Sequence, residues 1–467
     1  MLPPLSPNPS DPLYRQVYQA LREAILAGAL PEGSKLPSSR EFARTWGVAR
    51  NTVLEAFELL EIEGFIETRP ASGTYVAHSV NPEVTLQVPP PALKLTEWAT
   101  RALKTPTRPA YSQVDVDFRL GNVPNEFFPA EAWARALRER AKALQGGLGQ
   151  YGDELGPLET REAISSYLAR ERGVKATAGM VMLSSGSQGS LDALARVFLE
   201  PGKTVVMEDP GYLGARRVFE ASGAEVIYLP VDEEGLNPEH LPEKADLLYV
   251  TPAHQFPTGA ILPASRRLKI LDWARSVGAW IIEDDYNSEF RFDTRPLSAM
   301  HGLNPAQVIY VGTFSKSLSP ALRSGFLVAP VPIIEVLSAT RYLTDRQPPT
   351  LDSLALADFL HSGGFARHLK KTRGMILERY ETLLEALEQH LPALKVPTTG
   401  AGLHICALLP DQWSENHFRE ATLRSRVAVD FLSRYAMHSV QSGLILNYAH
   451  LNPEQIQRGI RQLGQAL

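Results

Sequence analysis

Short apolar runs alternate with helical stretches over most of this chain, and no other feature constrains its fold as strongly. The apolar runs are centred near Val181, Val205, Val226, Leu247, Ile281, Val308 and Phe326. Helical stretches such as residues 157–172 and 265–277 separate them. Strands and helices that alternate in this way form α/β domains with a largely parallel central sheet. Further helices between about Leu351 and His390 then lead to a small C-terminal α+β lobe.

The first eighty residues follow a different pattern, made of three short helices. Asp11 and Pro12 form a typical helix start, and the apolar residues that follow share one helical face. Ser38 and Glu41 have the spacing of a capping box at the start of a second helix. A third helix follows the turn at Gly47. Two helices around such a turn predict a helix-turn-helix, whose second helix can enter the major groove of DNA.

A predicted β-hairpin, residues 64–70 and 73–76, adds a wing to these helices. Basic side chains gather at the N-terminal ends of helices two and three, at Lys35, Arg40, Arg44 and Arg50. The net charge of −5 over the whole chain gives no general attraction to DNA. Binding would therefore depend on this local basic patch and on a second DNA-binding unit. The alternative is a helical protein-interaction module with a solvated charged face.

This N-terminal segment resembles the winged helix of GntR-family regulators. The resemblance rests on Leu36-Pro37-Ser38-Ser39-Arg40, Gly47-Val48-Ala49-Arg50-Asn51-Thr52-Val53 and Gly73-Thr74-Tyr75-Val76. It implies contacts with double-stranded DNA through Lys35, Ser38, Arg40, Arg44, Arg50, Asn51, Thr52 and Gly73. Ala49 departs from the serine usually found there, which removes one contact of the family.

The chain divides into three predicted segments. A winged helix (α+β) occupies residues 1–79, a proline-rich linker residues 80–112 and an α/β domain residues 113–467. The length of 467 residues exceeds the usual limit of one hydrophobic core, so a multi-domain protein is expected. Prolines at 89–91, 106 and 109 make the linker locally stiff.

Cysteine content and hydrophobic patterning indicate the cellular compartment of the protein. The single cysteine, Cys406, excludes an intramolecular disulfide framework and is typical of a buried small hydrophobic residue. No apolar run approaches the roughly 18 residues of a membrane span, and the N-terminus lacks the basic start of a signal peptide. We therefore expect a cytoplasmic protein with no membrane partner, and we predict no metal site.

Lys316 is the residue most directly tied to chemistry. It follows the apolar run Val308–Val311 within Gly312-Thr313-Phe314-Ser315-Lys316, and Arg323 lies seven residues further on. Hydroxyl groups and an arginine suit a phosphate, and an amine partly withdrawn from water can attack an aldehyde to form a Schiff base. This combination suggests pyridoxal phosphate. A solvated lysine at the end of a strand is the alternative for the motif taken alone.

Three upstream segments favour the cofactor. Asp284 and Tyr286 follow an apolar strand and share a face, so they could meet a pyridine nitrogen and a phenolate oxygen. Ser184-Ser185-Gly186-Ser187-Gln188 joins a strand to a helix start, which offers N–H groups to a phosphate. Asp209-Pro210-Gly211-Tyr212 supplies a ring that could cover a flat cofactor. Each motif alone is also compatible with a helix cap, a turn or a core tyrosine.

In this order the segments resemble the large domain of fold-type I, class I/II aminotransferases from about residue 113 to the C-terminus. The resemblance implies that Lys316 forms the Schiff base, Asp284 pairs with the pyridinium, Tyr286 bonds the phenolate and Tyr212 stacks on the ring. It implies that the phosphate is held by Ser185, Gly186, Ser187, Thr313, Ser315 and Arg323. Tyr151 matches a tyrosine that reaches the neighbouring subunit's phosphate, so a homodimer is expected.

The two halves together resemble MocR-type regulators of the GntR superfamily. In this group Ala253-His254-Gln255-Phe256-Pro257-Thr258-Gly259 stands where aminotransferases carry Asn-Pro-x-Gly. Phe256 thereby replaces an asparagine that would bond the phenolate oxygen. Ile445 stands in place of the arginine that holds a substrate carboxylate. Arg216, Arg217, Arg426 and Arg434 are the candidates for that task, and a surface position is the alternative for each.

We therefore predict a regulator that binds a DNA operator with two half-sites and senses a small amine or amino acid by Schiff-base exchange at Lys316. The alternative is an active aminotransferase with an accessory DNA-binding head. A third reading is a DNA-binding module fused to a cofactor-free scaffold. Phe256 and Ile445 favour sensing over sustained turnover, with residual transaminase activity left open.

Overall fold

The computed structural model describes residues 5, 11–78, 92–104, 114–144, 147, 149–292, 297–396, 402–438 and 441–467. It divides into two compact units, Met1–Lys94 and Leu95–Leu467. The prolines of the predicted linker lie outside the described residues. Within the part of the chain that is described, no helix is both long and apolar enough to cross a membrane.

The N-terminal unit is the winged helix predicted from the sequence. It consists of α1 (Leu13–Leu26), α2 (Ser39–Trp46), α3 (Arg50–Ile62), β1 (Ile66–Arg69) and β2 (Gly73–Val76). Ser38 caps α2, since its hydroxyl accepts a hydrogen bond from the amide of Glu41 and the Glu41 carboxylate bonds the amide of Ser38. The strands pair antiparallel, with Ile66 opposite Val76. Val17, Phe42 and Leu60 are fully buried where the three helices pack together.

A mostly parallel sheet of eight strands forms the centre of the second unit, in the order β4-β11-β10-β9-β8-β5-β6-β7. Its strands are β4 (Val181–Ser184), β5 (Thr204–Asp209), β6 (Glu225–Asp232), β7 (Gly235–Leu236), β8 (Leu247–Val250), β9 (Trp280–Asp285), β10 (Val308–Thr313) and β11 (Gly325–Val328). The strands from β10 to β6 run parallel, whereas β11 and β7 are antiparallel to their neighbours. This confirms the α/β fold expected from the alternating pattern.

Helices connect and flank these strands. They are α4 (Glu97–Leu103), α5 (Ala130–Ala143), α6 (Leu158–Arg172), α7 (Ser187–Phe198), α8 (Leu213–Ser222), α9 (Ala264–Val277), α10 (Val331–Thr344), α11 (Thr350–His361) and α12 (Gly364–His390). The C-terminal lobe contains a three-stranded sheet in the order β12-β15-β14, and β13 pairs with β3. Its elements are β3 (Val116–Asp117), β12 (His404–Leu408), α13 (Glu415–Ser425), β13 (Val427–Ala428), β14 (Asp430–Phe431), β15 (Gly443–Asn447) and α14 (Pro453–Ala466).

The sheet brings several predicted residues to one edge. Strands β4, β5, β9 and β10 run in the same direction, so their carboxyl ends meet there. The segments after these ends begin at Ser185, Pro210, Tyr286 and Phe314. Ligands of open α/β sheets bind outside the carboxyl ends of the strands. The fold therefore places the candidate chemistry at this edge.

Candidate functional site

A cavity of about 580 Å³ lies at the carboxyl edge of the central sheet. Most of the residues proposed for cofactor binding line it: Ser187, Tyr212, Asp284, Tyr286, Thr313, Ser315, Lys316 and Arg323. The carboxyl ends of four different strands and the segments that follow them supply these residues, although they are scattered over more than a hundred positions of the sequence. The cavity thus gathers an amine, a carboxyl group, hydroxyl groups and an arginine around one volume.

Asp284 is the acidic group of this cavity. Its Oδ2 accepts a 2.7 Å hydrogen bond from the hydroxyl of Tyr249, while its buried Oδ1 has no hydrogen-bond partner among the described residues. Burial raises the pKa of this carboxyl to about 7. Buried polar atoms in folded proteins are normally satisfied, so an unpaired carboxyl oxygen in a cavity wall calls for a ligand or water. A protonated ring nitrogen would supply both the hydrogen bond and the opposite charge.

The other end of the cavity suits an anion. Helix α7 begins at Ser187, and its first N–H groups are not used within the helix. Thr313 and Ser315 are joined by a 3.0 Å hydrogen bond between their hydroxyl oxygens. Arg323 donates a 2.6 Å hydrogen bond to the carbonyl of Ser185 and so lies across the start of this helix. Hydroxyl groups, helix N–H groups and a guanidinium form a typical phosphate site.

Gly186 allows this close arrangement. Its φ is +79°, and a Cβ atom there would lie 3.2 Å from Nη2 of Arg323. A larger residue would therefore be strained and would crowd the arginine. Gly186 and Ser185 stand beside the cavity rather than among its lining residues.

Aromatic rings line the same cavity as Lys316. The ring centroids of Tyr212 and Phe256 are 5.5 Å apart, and those of Phe256 and Tyr286 are 5.8 Å apart. Phe256 also packs against Tyr435 at 5.3 Å. The position that aminotransferases fill with an amide is therefore occupied by a ring in an apolar cluster, and it offers no hydrogen bond.

Ile445 belongs to the same apolar cluster, with Phe256, Cys406, Leu432 and Tyr435. Its side chain is fully buried. This position therefore offers no cation to a carboxylate. Cys406 is buried, as expected, and burial raises the pKa of its thiol to about 12.

Two of the four candidate arginines line the cavity. These are Arg217 and Arg434, and Arg434 is oriented by a 2.9 Å ion pair with Asp430. Arg426 instead pairs with Asp115 at 3.2 Å, outside the cavity lining. Arg216 contacts the sulfur of Met437 and is likewise not a lining residue.

Several residues that line the cavity could not be identified from the sequence. Tyr249 belongs to the apolar strand β8, and nothing in the sequence singled it out. His404 and Asn447 lie opposite each other on β12 and β15, and both face the cavity. A polar residue at the end of an otherwise apolar strand was the only sequence signal for either of them.

Tyr151 and the predicted DNA contacts lie on the surface. The side chain of Tyr151 is 82% exposed and its ring faces the guanidinium of Arg346, so it is not part of this chain's own cavity. In the winged helix the exposed predicted contacts are Lys35, Ser38, Arg40, Arg44, Arg50 and Asn51, and Thr52 and Gly73 are partly exposed.

The starts of α2 and α3 are connected by one of these contacts. Arg50 Nε donates a 3.3 Å hydrogen bond to the hydroxyl of Ser39. Two basic groups lie over the ring of Tyr75, with Lys35 Nζ 5.9 Å and Arg69 Cζ 4.5 Å from its centroid. Arg69 was not among the predicted DNA contacts. Arg69 is also ion-paired with Glu67, so part of its charge is already balanced.

Two segments of the chain match known families. Residues 13–76 match the gntR family of bacterial regulatory proteins, and residues 115–463 match the aminotransferase class I and II family. The probable rhizopine catabolism regulatory protein MocR of Rhizobium meliloti is 35% identical over 462 residues, which cover 97% of this chain and 94% of that protein. The pyridoxine biosynthesis transcriptional regulator PdxR of Corynebacterium glutamicum is 30% identical over 478 residues, which cover 99% and 98%.

Solved structures match the second unit. Kynurenine aminotransferase of Pyrococcus horikoshii, crystallised in complex with PMP, aligns with a TM-score of 0.71 and 28% identity. The alignment covers 80% of this chain and 95% of the aminotransferase. The similarity therefore spans nearly the whole aminotransferase.

Proposed function

Because the chain belongs to the MocR-type regulators of the GntR family, we propose that it binds pyridoxal phosphate at Lys316 and regulates transcription in response to a small amine or amino acid. The family membership confirms the resemblance noted in the sequence, including the aminotransferase class I and II domain. One observation carries the cofactor proposal. A buried carboxyl oxygen of Asp284 is unpaired among the described residues and lines the same cavity as Lys316.

The residues around the cavity fit this cofactor. Asp284 would hold the ring nitrogen, Tyr286 the phenolate oxygen and Tyr212 the ring face. The phosphate would lie at the start of α7, near Ser187 and Arg323. Pyridoxal phosphate supplies an aldehyde that exchanges amines and a ring that withdraws electrons. Among the described residues that line the cavity, Lys316 is the only lysine. We therefore assign the covalent attachment to its primary amine.

The effector would enter the part of the cavity beyond the cofactor. Arg217 and Arg434 line the cavity and can bind an acidic group of the effector. We therefore favour an amino acid or another amine that carries an acid over a simple alkylamine. The effector's amine would displace Lys316 from the aldehyde, and its acidic group would distinguish it from other amines.

Sensing fits this site better than sustained turnover. Phe256 and Ile445 replace two polar groups that aminotransferases use, and both are packed in the apolar cluster. MocR and PdxR, which align with nearly the whole chain, are named as regulators. The competing proposal is an active aminotransferase with an accessory DNA-binding head. Continued transfer of amino groups to a keto acid by the purified protein would favour that competitor.

The DNA operator is proposed to have two half-sites, read by a homodimer. Two winged helices on two half-sites gain from a high effective concentration. Tyr151 supports the dimer, because its exposed side chain can contact a phosphate that is bound by a partner subunit. We expect sedimentation to give twice the chain mass of 51.5 kDa. A cofactor-loaded monomer would contradict this arrangement.

The central experiment removes the amine. Purified wild-type protein should show visible absorbance with pyridoxal phosphate. Borohydride should abolish that absorbance and attach the cofactor permanently, and Lys316→Ala should show neither the absorbance nor the attachment. Lys175→Ala is a matched control, because Lys175 is a lysine outside the cavity lining. If Lys316→Ala keeps the reducible signal, the lysine assignment is wrong.

The sensing step is tested with a panel of amines. Amino acids and simple alkylamines are titrated into the loaded protein, and the absorbance change is followed together with DNA binding. An effector must bind the two DNA-binding states unequally in order to switch them. An amine that changes both the spectrum and the operator affinity would support the proposal. Spectral changes that leave DNA binding unaltered for the whole panel would contradict regulation through this site.

A further inference from the structure

His254 makes a direct contact with the tyrosine expected to hold the cofactor. Its Nδ1 lies 3.0 Å from the hydroxyl oxygen of Tyr286, within hydrogen-bond distance. His254 is 4% exposed and comes from the loop between β8 and α9, while Tyr286 directly follows β9. Two neighbouring strands thus deliver the two partners of this bond.

The imidazole is confined on several sides. Its ring centroid lies 6.0 Å from that of Tyr286 and 5.6 Å from that of His404, with near-perpendicular planes in both cases. A Cβ atom at Gly402 would lie 2.7 Å from Nε2 of His254, so the backbone approaches the ring closely there. The ring therefore has little room to turn away from Tyr286.

The neighbouring residue anchors the segment that carries His254. Gln255 Nε2 donates hydrogen bonds to the carbonyls of Pro210 and Phe256, at 2.8 Å and 2.7 Å. Its Oε1 accepts from the amide and the hydroxyl of Thr258. Side chains locked by packing and supporting hydrogen bonds hold a site in its working geometry. The position of His254 is thus determined by its surroundings.

Phe256 removes one hydrogen-bond donor from the cofactor site, which leaves Tyr286 as the hydroxyl expected at the phenolate oxygen. A tyrosine hydroxyl carries a single proton, and a phenolate oxygen can only accept. If that proton is to reach the cofactor, the bond to His254 must be donated by the imidazole. The geometry allows this, because either ring nitrogen of a neutral histidine can carry the proton.

We propose that His254 is a positioning residue that donates its Nδ1–H to the hydroxyl oxygen of Tyr286 and so directs the Tyr286 proton towards the cofactor. This inference rests on the proposed function and deepens it. His254 acts through Tyr286 and touches no cofactor atom itself. By directing the Tyr286 proton to the cofactor, His254 compensates for the hydrogen-bond donor that is absent at Phe256.

The test is a double-mutant cycle on the full-length protein, with the apparent dissociation constant of pyridoxal phosphate as the readout. His254→Leu should weaken binding about fivefold, the effect of one neutral hydrogen bond. In a Tyr286→Phe background, the same substitution should have almost no further effect. His254→Asn keeps an N–H donor near the position of Nδ1 and should restore most of the affinity. His240→Leu, at an exposed histidine outside the cavity, is the control.

A second measurement is independent of the cofactor. Nitrogen-15 spectra of histidine-labelled protein without cofactor should assign the proton of His254 to Nδ1. An equal loss of affinity in both backgrounds would show a merely structural role and overturn the proposal, as would a proton on Nε2 alone. Normal binding by His254→Leu would overturn it as well. If the wild-type protein fails to bind pyridoxal phosphate at Lys316, the proposed function itself fails and takes this inference with it.

Discussion

Tyr249 donates a 2.7 Å hydrogen bond to Oδ2 of Asp284, and the two residues lie on adjacent parallel strands, β8 and β9. One carboxyl oxygen is thereby satisfied, and the other has no partner among the described residues. The hydrogen bond holds the carboxyl group in one orientation. It also lowers the pKa of Asp284 against the larger, opposite effect of burial, which raises it to about 7.

Tyr249→Phe should therefore weaken cofactor binding. Without the hydroxyl, the pKa of Asp284 rises further and a smaller fraction of the carboxyl is ionised at neutral pH. We expect a loss of about five- to tenfold in pyridoxal phosphate affinity, the usual effect of a hydrogen bond to a charged group. Spectral titration measures it. Tyr228→Phe is the control, because the Tyr228 hydroxyl bonds Glu220 away from the cavity lining. Equal affinity in Tyr249→Phe and wild type would contradict the assigned role.

Glu208 should make the stability of the cofactor-free protein depend on pH. It is buried and accepts hydrogen bonds from the hydroxyl and the amide of Thr251, and burial raises its pKa from 4.5 to about 7. Between pH 4.5 and about pH 7, Glu208 keeps its proton in the folded protein and releases it in the unfolded chain. The stability due to this group is present below pH 4.5 and is lost as the pH rises through 7, at most about 3 kcal/mol.

Glu208→Gln carries no such proton. As the pH increases from 5 to 8, the thermal unfolding midpoint of this variant should therefore rise relative to that of wild type. Calorimetry of both proteins without cofactor provides the comparison. Glu220→Gln, at an exposed position on α8, is the control. Parallel curves for Glu208→Gln and wild type would show that Glu208 ionises normally.

Ala49→Ser should stabilise α3. Ala49 occupies the N-cap position of α3 with φ −65° and ψ 144°, and it provides no side-chain cap. A serine in this conformation can accept a hydrogen bond from the first turn, which contributes about 1 kcal/mol. Hydrogen exchange should slow at the amides of Asn51 and Thr52, the N2 and N3 positions of α3. Ala49→Val, which adds bulk without a hydroxyl, is the control, and equal exchange in both variants would refute the cap.

Arg50→Ala and Arg40→Ala should weaken DNA binding without changing cofactor affinity. Both residues are exposed at the N-terminal ends of α3 and α2, where the duplex lies in a winged helix. If each neutralises a phosphate, the slope of log affinity against log salt should fall by about one. Arg15→Ala is the control, because Arg15 is an exposed arginine on α1. A slope equal to that of Arg15→Ala would contradict this docking.

The predictions from sequence were most accurate where local pattern decides structure. Helices expected at residues 157–172 and 265–277 are α6 (Leu158–Arg172) and α9 (Ala264–Val277). The capping box at Ser38 is present, because a cap depends on residues only three positions apart. The strand near Phe326 is β11, which runs antiparallel within a sheet expected to be largely parallel. Strand direction depends on partners distant in the chain, so local pattern does not reveal it.

The candidate site shows the same division. Asp284, Tyr286 and Lys316 were identified from the sequence, because each follows an apolar run and carries recognisable chemistry. Tyr249 was not identified, because its hydroxyl gains a role only when β8 lies beside β9. Of four candidate arginines, only Arg217 and Arg434 line the cavity. Their sequence surroundings do not distinguish them from the other two.

By itself, therefore, the sequence determined the order of elements and the union of a winged helix with an aminotransferase-like domain, and it predicted the candidate residues at the strand ends. These features depend on periodicity and on motifs of near neighbours. Only the tertiary structure decided which polar groups meet. The bonds of Tyr249 to Asp284 and of His254 to Tyr286 join residues 35 and 32 positions apart. Such contacts are set by the order of strands in the sheet, and that order is the outcome of packing the whole domain.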